Sequence, residues 1–555
     1  ESALDVASST AVITKKHIQD HGFLTLGNAL ESVPSIFTTT TWGGSEAISI
    51  RGYSTELSVR GTAYFLDDVP LGTYVYASTS YILPRAPLGL FDSVEMIRGP
   101  GSTLYGTDAF HGVVGFKLND EDINRSQAYV QFGSPDLQNI NITNSHYSNE
   151  WRLHSGIQYT HDGSHDLTFN YDDPFNGNLE SNSREHSFKN ASAFLKASNG
   201  HVSSSNGKFS TLIFHNDYQA EEFQGIGSQF FRGFIGRLDI ENANIAQAGD
   251  KSNSDSQLSL MSISHEVLLE NSLQLKNLIY HWKAQQEWSF DNSEYPTTVT
   301  TLSNLSLRCR ENEVDVQPGV VIDSIYCPHT LYQGADESRT GYSVQFKRPA
   351  GENNTQLVLG AGFDHIKVDD STFERIDLTG ISILDLNNAY DKKERKITHV
   401  MAQGRSSFYN NSLLITYGVR WDDYSDVSDH LSPRLGMVHK INHHWTQKLL
   451  YGHAYRAPTA IEQSGSGPVI GNENINSETI DTFEYVLMYQ MNSLHLEGVA
   501  FYSDWRDAIA LVPTGNGTEN TYENIDRNFR QGLELQGKLK LDHYYFQSSI
   551  SYVDS

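Results

Sequence analysis

The stretch Leu413-Leu-Ile-Thr-Tyr-Gly-Val-Arg-Trp421 decides the fold. Leu413, Ile415, Tyr417, Val419 and Trp421 fall on one face, and Leu414, Thr416, Gly418 and Arg420 on the other. A period of two is the signature of a strand with two unlike faces. Leu533–Leu541 repeats it, with Leu533, Leu535, Gly537, Leu539 and Leu541 opposite Glu534, Gln536, Lys538 and Lys540. Gln356–Asp364 puts Leu357, Leu359, Ala361 and Phe363 on one side, and Thr482–Tyr489 does so with Phe483, Tyr485, Leu487 and Tyr489. Such runs extend over about 9–15 residues, against ~5–6 in ordinary sheets, and reach the ~9–11 that cross a bilayer at a tilt. About sixteen to eighteen of them follow residue 125. A sheet of that size does not stay open, and lipid forbids free edges, so a transmembrane β-barrel is expected.

The connections agree. Tight polar turns such as Glu270-Asn271 and Asn410-Asn411 alternate with long loops at 217–256, 289–337 and 456–478, the two-rimmed pattern of outer-membrane barrels. Aromatic residues make up 11% of the chain. Tyr81, Trp151, Trp282, Trp421, Trp445 and Trp505 stand at strand ends, as interfacial girdles require; packing in a large soluble all-β protein is the other reading. No repeat of about 40–50 residues, which a propeller needs, is present. No run of 18 apolar residues marks a membrane helix, and the mean hydropathy of −0.44 suits a barrel because only alternate strand residues face lipid. With 67 acidic and 40 basic residues and a net charge of −27, the chain is no nucleic-acid binder. It opens without a signal-peptide pattern, so a leader has been removed or never existed. No nucleophile elbow, P-loop, zinc motif or Cys-x-x-Cys occurs, so no catalytic residue and no metal site is expected. The acidic segments 162–166 and 172–176 lack the alternating ligand spacing of a calcium loop. Cys309 and Cys327 sit in polar loop sequence and suit a disulfide in an oxidising compartment; two unrelated thiols are the alternative.

Residues 1–120 differ in character. Thr14 is placed to cap a helix through His21 that Gly22 stops. Thr25 caps a second, whose stripe is Leu26, Ala29, Leu30 and Val33 and which Pro34 ends. Short strands follow at 47–51, 63–66 and 93–98. This is a small α+β domain, with residues 121–555 forming the barrel.

Four segments in this first part resemble the plug of TonB-dependent outer-membrane receptors, in the family's order: Leu30-Glu-Ser-Val-Pro-Ser-Ile36, Ile48-Ser-Ile-Arg-Gly52, Tyr64-Phe-Leu-Asp-Asp-Val-Pro70, and Val94-Glu-Met-Ile-Arg-Gly-Pro-Gly-Ser-Thr-Leu-Tyr-Gly106 leading into Gly112-Val-Val-Gly115. The later part resembles the family's barrel at Leu431-Ser-Pro-Arg-Leu435, Tyr455-Arg-Ala-Pro-Thr459, Gly471-Asn-Glu-Asn-Ile475, Glu478-Thr-Ile-Asp-Thr-Phe-Glu484 and Gln531-Gly-Leu-Glu534. The resemblance implies an all-β transmembrane barrel of about 22 antiparallel strands in the full protein, with the α+β plug inside its lumen, in a Gram-negative outer membrane. It implies a non-enzymatic importer with no cofactor of its own. TonB with ExbB/ExbD on the periplasmic side and outer-membrane lipid are the implied partners. It also implies a lock of Arg51 and Arg98 against Glu484 and Glu534, whose parity points them inward; four ordinary lumen charges are the other reading. Glu1-Ser-Ala-Leu-Asp-Val resembles the stretch after the family's TonB box, so the box is expected to precede Glu1. The strand count falls about four to six short of the family's ~22 and the end at Tyr552-Val-Asp-Ser555 lacks the family's terminal aromatic, so C-terminal strands are expected to be missing.

Family ligands are ferric siderophores, haem, cobalamin and other chelates. No histidine stands between Arg456 and Glu478, and His111 lies in a core-like run, so a ferric siderophore ranks first and haem or cobalamin second; a surface adhesin or host-protein receptor on the same fold is the other class. The expected apex loops at 38–45 and 71–81 bring Trp42, Tyr74, Tyr76 and Tyr81, whose rings suit a chelate by stacking and hydrogen bonding or serve packing alone. Arg60, Arg85 and Arg232 would add charge recognition of an anionic chelate. The apolar loop Phe223–Phe234 reads as a lid or a partner contact.

Overall fold

The hydroxyl of Thr14, at the end of β1 (Ser9–Thr14), accepts the amide hydrogen of His17 and opens α1 (Lys15–His21). Gly22 stops that helix at φ 66°, where a Cβ would be strained. Thr25 caps α2 (Leu26–Leu30), which buries Leu26, Ala29 and Leu30. A hairpin of β2 (Ile36–Thr40) and β3 (Glu46–Ile50) follows, then β4 (Thr62–Leu66), β5 (Val69–Pro70), β6 (Ser93–Arg98), the short α3 (Ser102–Tyr105) and β7 (Gly112–Lys117). Five of these strands form one sheet in the order β1-β6-β7-β4-β5, with β4 and β7 parallel. Its core is Ile13, Leu30, Ile48, Tyr64, Phe91, Val94, Met96 and Phe116.

The computed structural model describes residues 6–554 apart from 41–44, 54–59, 119–122, 135, 164–166, 173–178, 185–186, 223–251, 293–295, 298–324, 327–328, 351–353, 378–381, 386–389, 391–392, 467–468, 515–519 and 526. Cys309, Cys327, Trp42 and Arg232 therefore lie outside the described residues, as does the apolar loop at 223–234.

Among the described residues from Arg125 on, seventeen long strands form one sheet. They are β8 (Arg125–Gly133), β9 (Asp136–Ser148), β10 (Trp151–Gly163), β11 (Ser187–Asn199), β12 (Lys208–Glu222), β13 (Ser252–Leu268), β14 (Gln274–Asn292), β15 (His329–Arg348) and β16 (Thr355–Asp377), then β17 (Glu394–Phe408), β18 (Leu413–Tyr424), β19 (His430–Lys440), β20 (Trp445–Arg456), β21 (Glu478–Met491), β22 (Leu494–Arg506), β23 (Asn528–Leu541) and β24 (Tyr544–Asp554). Each pairs antiparallel with the next, and the short strand Ser382–Asp385 adds to β16.

The sheet curls round the N-terminal domain, as bonds from along its whole width show. Gln131 on β8 donates to the Gly22 carbonyl at 3.3 Å, and Thr143 on β9 accepts from Lys15 at 3.3 Å. Trp282 on β14 donates to the Pro70 carbonyl at 2.9 Å, Lys448 on β20 to that of Val6 at 2.8 Å, and Gln547 on β24 to that of Ser32 at 2.6 Å.

The parity of the strands holds. Leu533 and Leu535 are each 58% exposed on the outer, lipid-facing side, while Glu534 between them is 1% exposed. Tyr417 and Val419 face out, and Leu414, Thr416 and Arg420 are buried within.

Three expectations need correction. The strands run from 9 to 23 residues, longer than the alternation suggested, because their ladders continue past the bilayer into the long-loop rim. The loops expected at 217–256 and 289–337 accordingly begin after Glu222 and Asn292 and end before Ser252 and His329. Trp282 and Trp505 are not interfacial: one bonds Pro70 and the other donates to Glu478 at 3.0 Å, both inside the lumen. Tyr81 is also buried inside.

Because Leu535 sits mid-strand on the lipid face, Leu535→Lys is expected to destabilise the barrel by about 2–4 kcal/mol. Gln536→Ser, one residue on but facing the lumen, should stay within ~1 kcal/mol. Urea titration of the protein folded in lipid vesicles measures both.

Candidate functional site

Among the described residues, two of the polar regions that join the N-terminal domain to the barrel wall hold the candidate site residues. In the first, β3 ends at Ile50 and Arg51 turns into the left-handed region at φ 54°. That geometry, which costs an L-residue roughly 1–2 kcal/mol, explains why the strand expected at 47–51 ends one residue early. It aims the guanidinium at the wall. Arg51 Nη2 lies 3.0 Å from Glu484 on β21, and Nε 2.9 Å from Glu534 on β23. Arg98, at the end of β6, puts Nη1 2.5 Å from Glu534 and Nη2 3.0 Å from Glu497 on β22. The ring of Phe501 lies 4.3 Å from the Arg51 guanidinium carbon, and Ser9 donates to Glu484 at 2.7 Å. Burial alone would lower the Arg51 pKa, but Glu484 and Glu534 outweigh it and hold the group above its ordinary range. Gly99 follows Arg98 at φ 91°, and a Cβ there would stand 2.6 Å from the Glu484 carboxylate. The structure thus brings Arg51, Arg98, Glu484 and Glu534 together. Glu497 was missed, although its inward parity on the strand beside Glu534 was available as a signal.

The second region is the apex, the loop after β5. Tyr74 and Val75 donate their backbone N–H to the Glu337 carboxylate on β15, at 2.7 and 3.3 Å. The Tyr74 hydroxyl bonds Gln463 at 2.8 Å and Asp426 at 3.1 Å. Arg395 on β17 lies 4.2 Å over the Tyr74 ring and pairs with Asp426 at 2.6 Å. Tyr76, Tyr81 and Trp288 of β14 form a ring cluster, with centroids 4.7, 5.4 and 5.0 Å apart. Over this loop sits α4 (Ala460–Ser464), opened by a capping box of Thr459 and Glu462, and its Ala460 N–H donates to the Tyr74 carbonyl at 2.9 Å. Glu462 pairs with Arg456 at 3.0 Å and with Arg60. Burial would raise its pKa, yet Arg456 and Arg60 bring it down to about 2.

Tyr74, Tyr76 and Tyr81 therefore meet at the apex, buried and each bonded or stacked. Arg60 is engaged by Glu462, and Arg85 by Glu46 at 3.2 Å with the Phe188 ring 5.0 Å away, so neither is a free cation awaiting an anion. His111 is stacked on Tyr53 at 4.0 Å inside the lumen, and burial pushes it well below its ordinary range. Glu337, Arg395, Asp426, Glu462, Gln463 and Trp288 were not found from sequence. Nothing in it places residues more than 200 positions apart at one height in the lumen.

Asp108 lies beneath the apex. Burial raises its pKa to about 6, and Arg456, Arg395 and Arg339 offset part of that rise.

Two family models match the chain: "TonB dependent receptor-like, beta-barrel" over residues 198–555 and "TonB-dependent Receptor Plug Domain" over residues 2–113. The "Iron-regulated outer membrane virulence protein" of Vibrio cholerae is 23% identical, over 99% of this chain and 75% of its own. The "Vitamin B12 transporter BtuB" of Vibrio vulnificus is 22% identical, over 96% and 72%. Among solved structures, the siderophore receptor PiuA of Acinetobacter baumannii superposes with a TM-score of 0.71 at 15% identity, covering 100% of this chain and 79% of its own. A point mutant of the ferric enterobactin receptor PfeA of Pseudomonas aeruginosa gives 0.70 at 16%, covering 99% and 80%.

Breaking a buried pair from one side strands the other charge at a cost of about 3–5 kcal/mol. Arg98→Ala and Glu534→Ala are each expected to release the N-terminal domain to protease, and the double variant to lose far less than the sum. Coupling below ~0.5 kcal/mol in the cycle would mean two independent lumen charges. For Asp108, the folded pKa lies above the unfolded one, so the fold is penalised above about pH 6 and relieved as pH falls through that value. Asp108→Asn should raise hydrogen-exchange protection of residues 99–111 at pH 7.5, by an amount equivalent to about 1–3 kcal/mol, and give no gain at pH 3.5. A gain independent of pH would refute the cause given.

Proposed function

Since the chain belongs to the TonB-dependent receptors of the outer membrane, which are transporters and receptors and not enzymes, we propose that it imports a ferric siderophore across that membrane. Residues 1–120 serve as the plug and 121–555 as the barrel. TonB with ExbB/ExbD supplies the drive from the periplasmic side, and lipid surrounds the apolar belt. The iron chelate is cargo, not a resident cofactor.

The observation that carries this reading is an apex loop bonded both to the barrel wall and to an external loop. Tyr74 hangs from the wall through Glu337 and from the external loop through Gln463 and Ala460. A chelate arriving under the loops meets α4 and the Tyr76, Tyr81 and Trp288 rings first, and stacking on such rings suits a catecholate or hydroxamate. Any shift of α4 is passed to the plug through Tyr74. The relatives support a chelate as ligand: one structural neighbour is named a siderophore receptor and another a ferric enterobactin receptor, while a sequence relative is named a vitamin B12 transporter. Haem, cobalamin and a host-protein receptor are the alternatives. For Tyr74, Tyr76, Tyr81 and Trp42 we propose ligand contact, with Arg232 adding charge recognition and Arg60 and Arg85, engaged by Glu462 and Glu46, bracing the segments around the site; for Arg51 and Arg98 with Glu484 and Glu534, a plug–barrel lock; and for Cys309 and Cys327, a disulfide.

Ferric catecholate and ferric hydroxamate chelates are expected to quench tryptophan fluorescence of the purified receptor at sub-micromolar concentration. Trp288→Phe should remove part of that quenching. Cells lacking TonB should bind the iron-55 chelate and fail to accumulate it. Quenching by haem or cobalamin alone would overturn the ligand, and binding with no TonB-dependent uptake by native cells would favour the host-protein receptor.

A further inference from the structure

The plug is tied to the wall by charges on two sides. On one, Arg51 and Arg98 meet β21, β22 and β23. On the other, near the short-turn rim, Asp67 pairs with Lys196 of β11 at 3.0 Å and Asp68 with Lys276 of β14 at 2.6 Å. Along the arc β15–β18 between them, a cavity of about 360 Å³ separates plug and wall. Ser343, Gly360 and Met401 line it from the wall, and Phe65, Glu95 and Tyr105 from the plug. It reaches Lys117 and Lys276, both partly exposed at the periplasmic rim. Above it a second cavity of about 30 Å³ lies under the apex, between Gly72, Asp108 and Tyr424. The two share Phe65, Pro70, Tyr105, Arg339, Asp364 and Arg420 as lining.

The charges at this constriction are paired differently from the lock. Arg339 on β15 bonds Asp364 on β16 at 2.8 Å, and the Tyr280 hydroxyl of β14 shares that carboxylate. Arg420 and Asp422, both on β18, lie 2.8 Å apart. Both pairs belong wholly to the wall. Their hold on the plug is through carbonyls: Arg339 donates to Gly72 at 3.2 Å and Arg420 to Leu104 at 3.5 Å. If the plug draws away here, each guanidinium keeps its carboxylate, and Asp108, the plug carboxylate lining the upper cavity, keeps its bond from Thr107. Parting at Arg51 and Arg98 would strand charges on both bodies.

We propose that the cargo crosses the lumen along this arc, between the β4 and α3 corner of the plug and strands β15–β18, with Arg339–Asp364 and Arg420–Asp422 framing the constriction that opens. The proposal rests on the importer reading. Before cargo of siderophore size passes, residues 104–108 and the loop around Gly72 must move, since the outer cavity holds about one water molecule.

Filling the lower cavity tests it. In cells, Ser343→Trp is expected to bind the ferric chelate within twofold of native and to import it at least tenfold more slowly. Ser549→Trp, inward on β24 at the other side of the plug, should bind and import within twofold of native. To separate blockage from misfolding, Ser343→Cys is treated after folding with benzyl methanethiosulfonate: uptake should fall and return on reduction, while Ser549→Cys is unaffected by either step. Uptake unchanged in filled Ser343 variants, or an equal loss at Ser549, would overturn the route. Should native cells bind the chelate without importing it, the importer reading falls, and the route with it.

Discussion

A guanidinium in a lumen shut off from bulk water must find a carboxylate, because an unpaired charge there costs several kcal/mol. Arg51 and Arg98 obey that constraint, and the position of the plug follows from it. Arg51 adopts a positive φ to reach Glu484 and Glu534, and Gly99 gives up its side chain so that the Glu484 carboxylate can lie against the backbone. Three wall carboxylates on the adjacent strands β21, β22 and β23 surround two cations. Rotating the plug within the barrel would separate all of them at once, so the cluster fixes its angle as well as its depth.

The ion pairs of the lumen fall into two kinds. Some join plug to wall: Arg51 and Arg98 to their glutamates, Asp67 and Asp68 to their lysines, and Arg60 to Glu462. Others are closed within the wall and its loops, such as Arg339–Asp364, Arg420–Asp422 and Arg395–Asp426. The first kind resists separation of the two bodies. The second solvates its own charges and leaves the plug free to part. How the two kinds are distributed round the lumen therefore makes some sides of the plug costlier to move than others, without any change in fold.

The sequence made the wall legible because lipid imposes parity. Phe483 and Tyr485 face out, so Glu484 must face in, and a one-residue slip would place that carboxylate in hydrocarbon. The capped helices of the plug were readable from Thr14, Gly22 and Thr25, and two strands of its five-stranded sheet, β4 and β6, from short apolar runs; β1, β5 and β7 were not, because their runs are too short or too glycine-rich to stand out. Parity says which way a side chain points, but not how high it stands or whom it meets. Glu337 and Tyr74 are 263 positions apart, and their meeting depends on the tilt and stagger of β15. Trp282 was misplaced for the same reason: its parity put it inward against Pro70, and aromatic character alone argued for the interface. The strand ends were misjudged because the ladders β14–β16 carry on into the long-loop rim, where apolar residues such as Trp288, Val368 and Phe373 turn inward and the outward positions Glu287 and Lys367 are polar, so the sense of the alternation reverses.

The apex joins these observations to function. Tyr74 contacts the wall through Glu337, a cation through Arg395 and the external loop through α4. None of its polar groups can lose a partner cheaply, since a buried hydroxyl or amide left unpaired costs about 1–3 kcal/mol. A ligand that displaces α4 must satisfy Tyr74 itself or shift it, and a shift pulls on the backbone that Glu337 holds. Below that backbone lie Gly72 and Asp108, against the arc of the wall whose charges are already paired among themselves. In the proposed route, ligand binding outside and loosening inside are coupled through one buried tyrosine, with no need for a change at the Arg51 and Arg98 pairs on the far side of the plug.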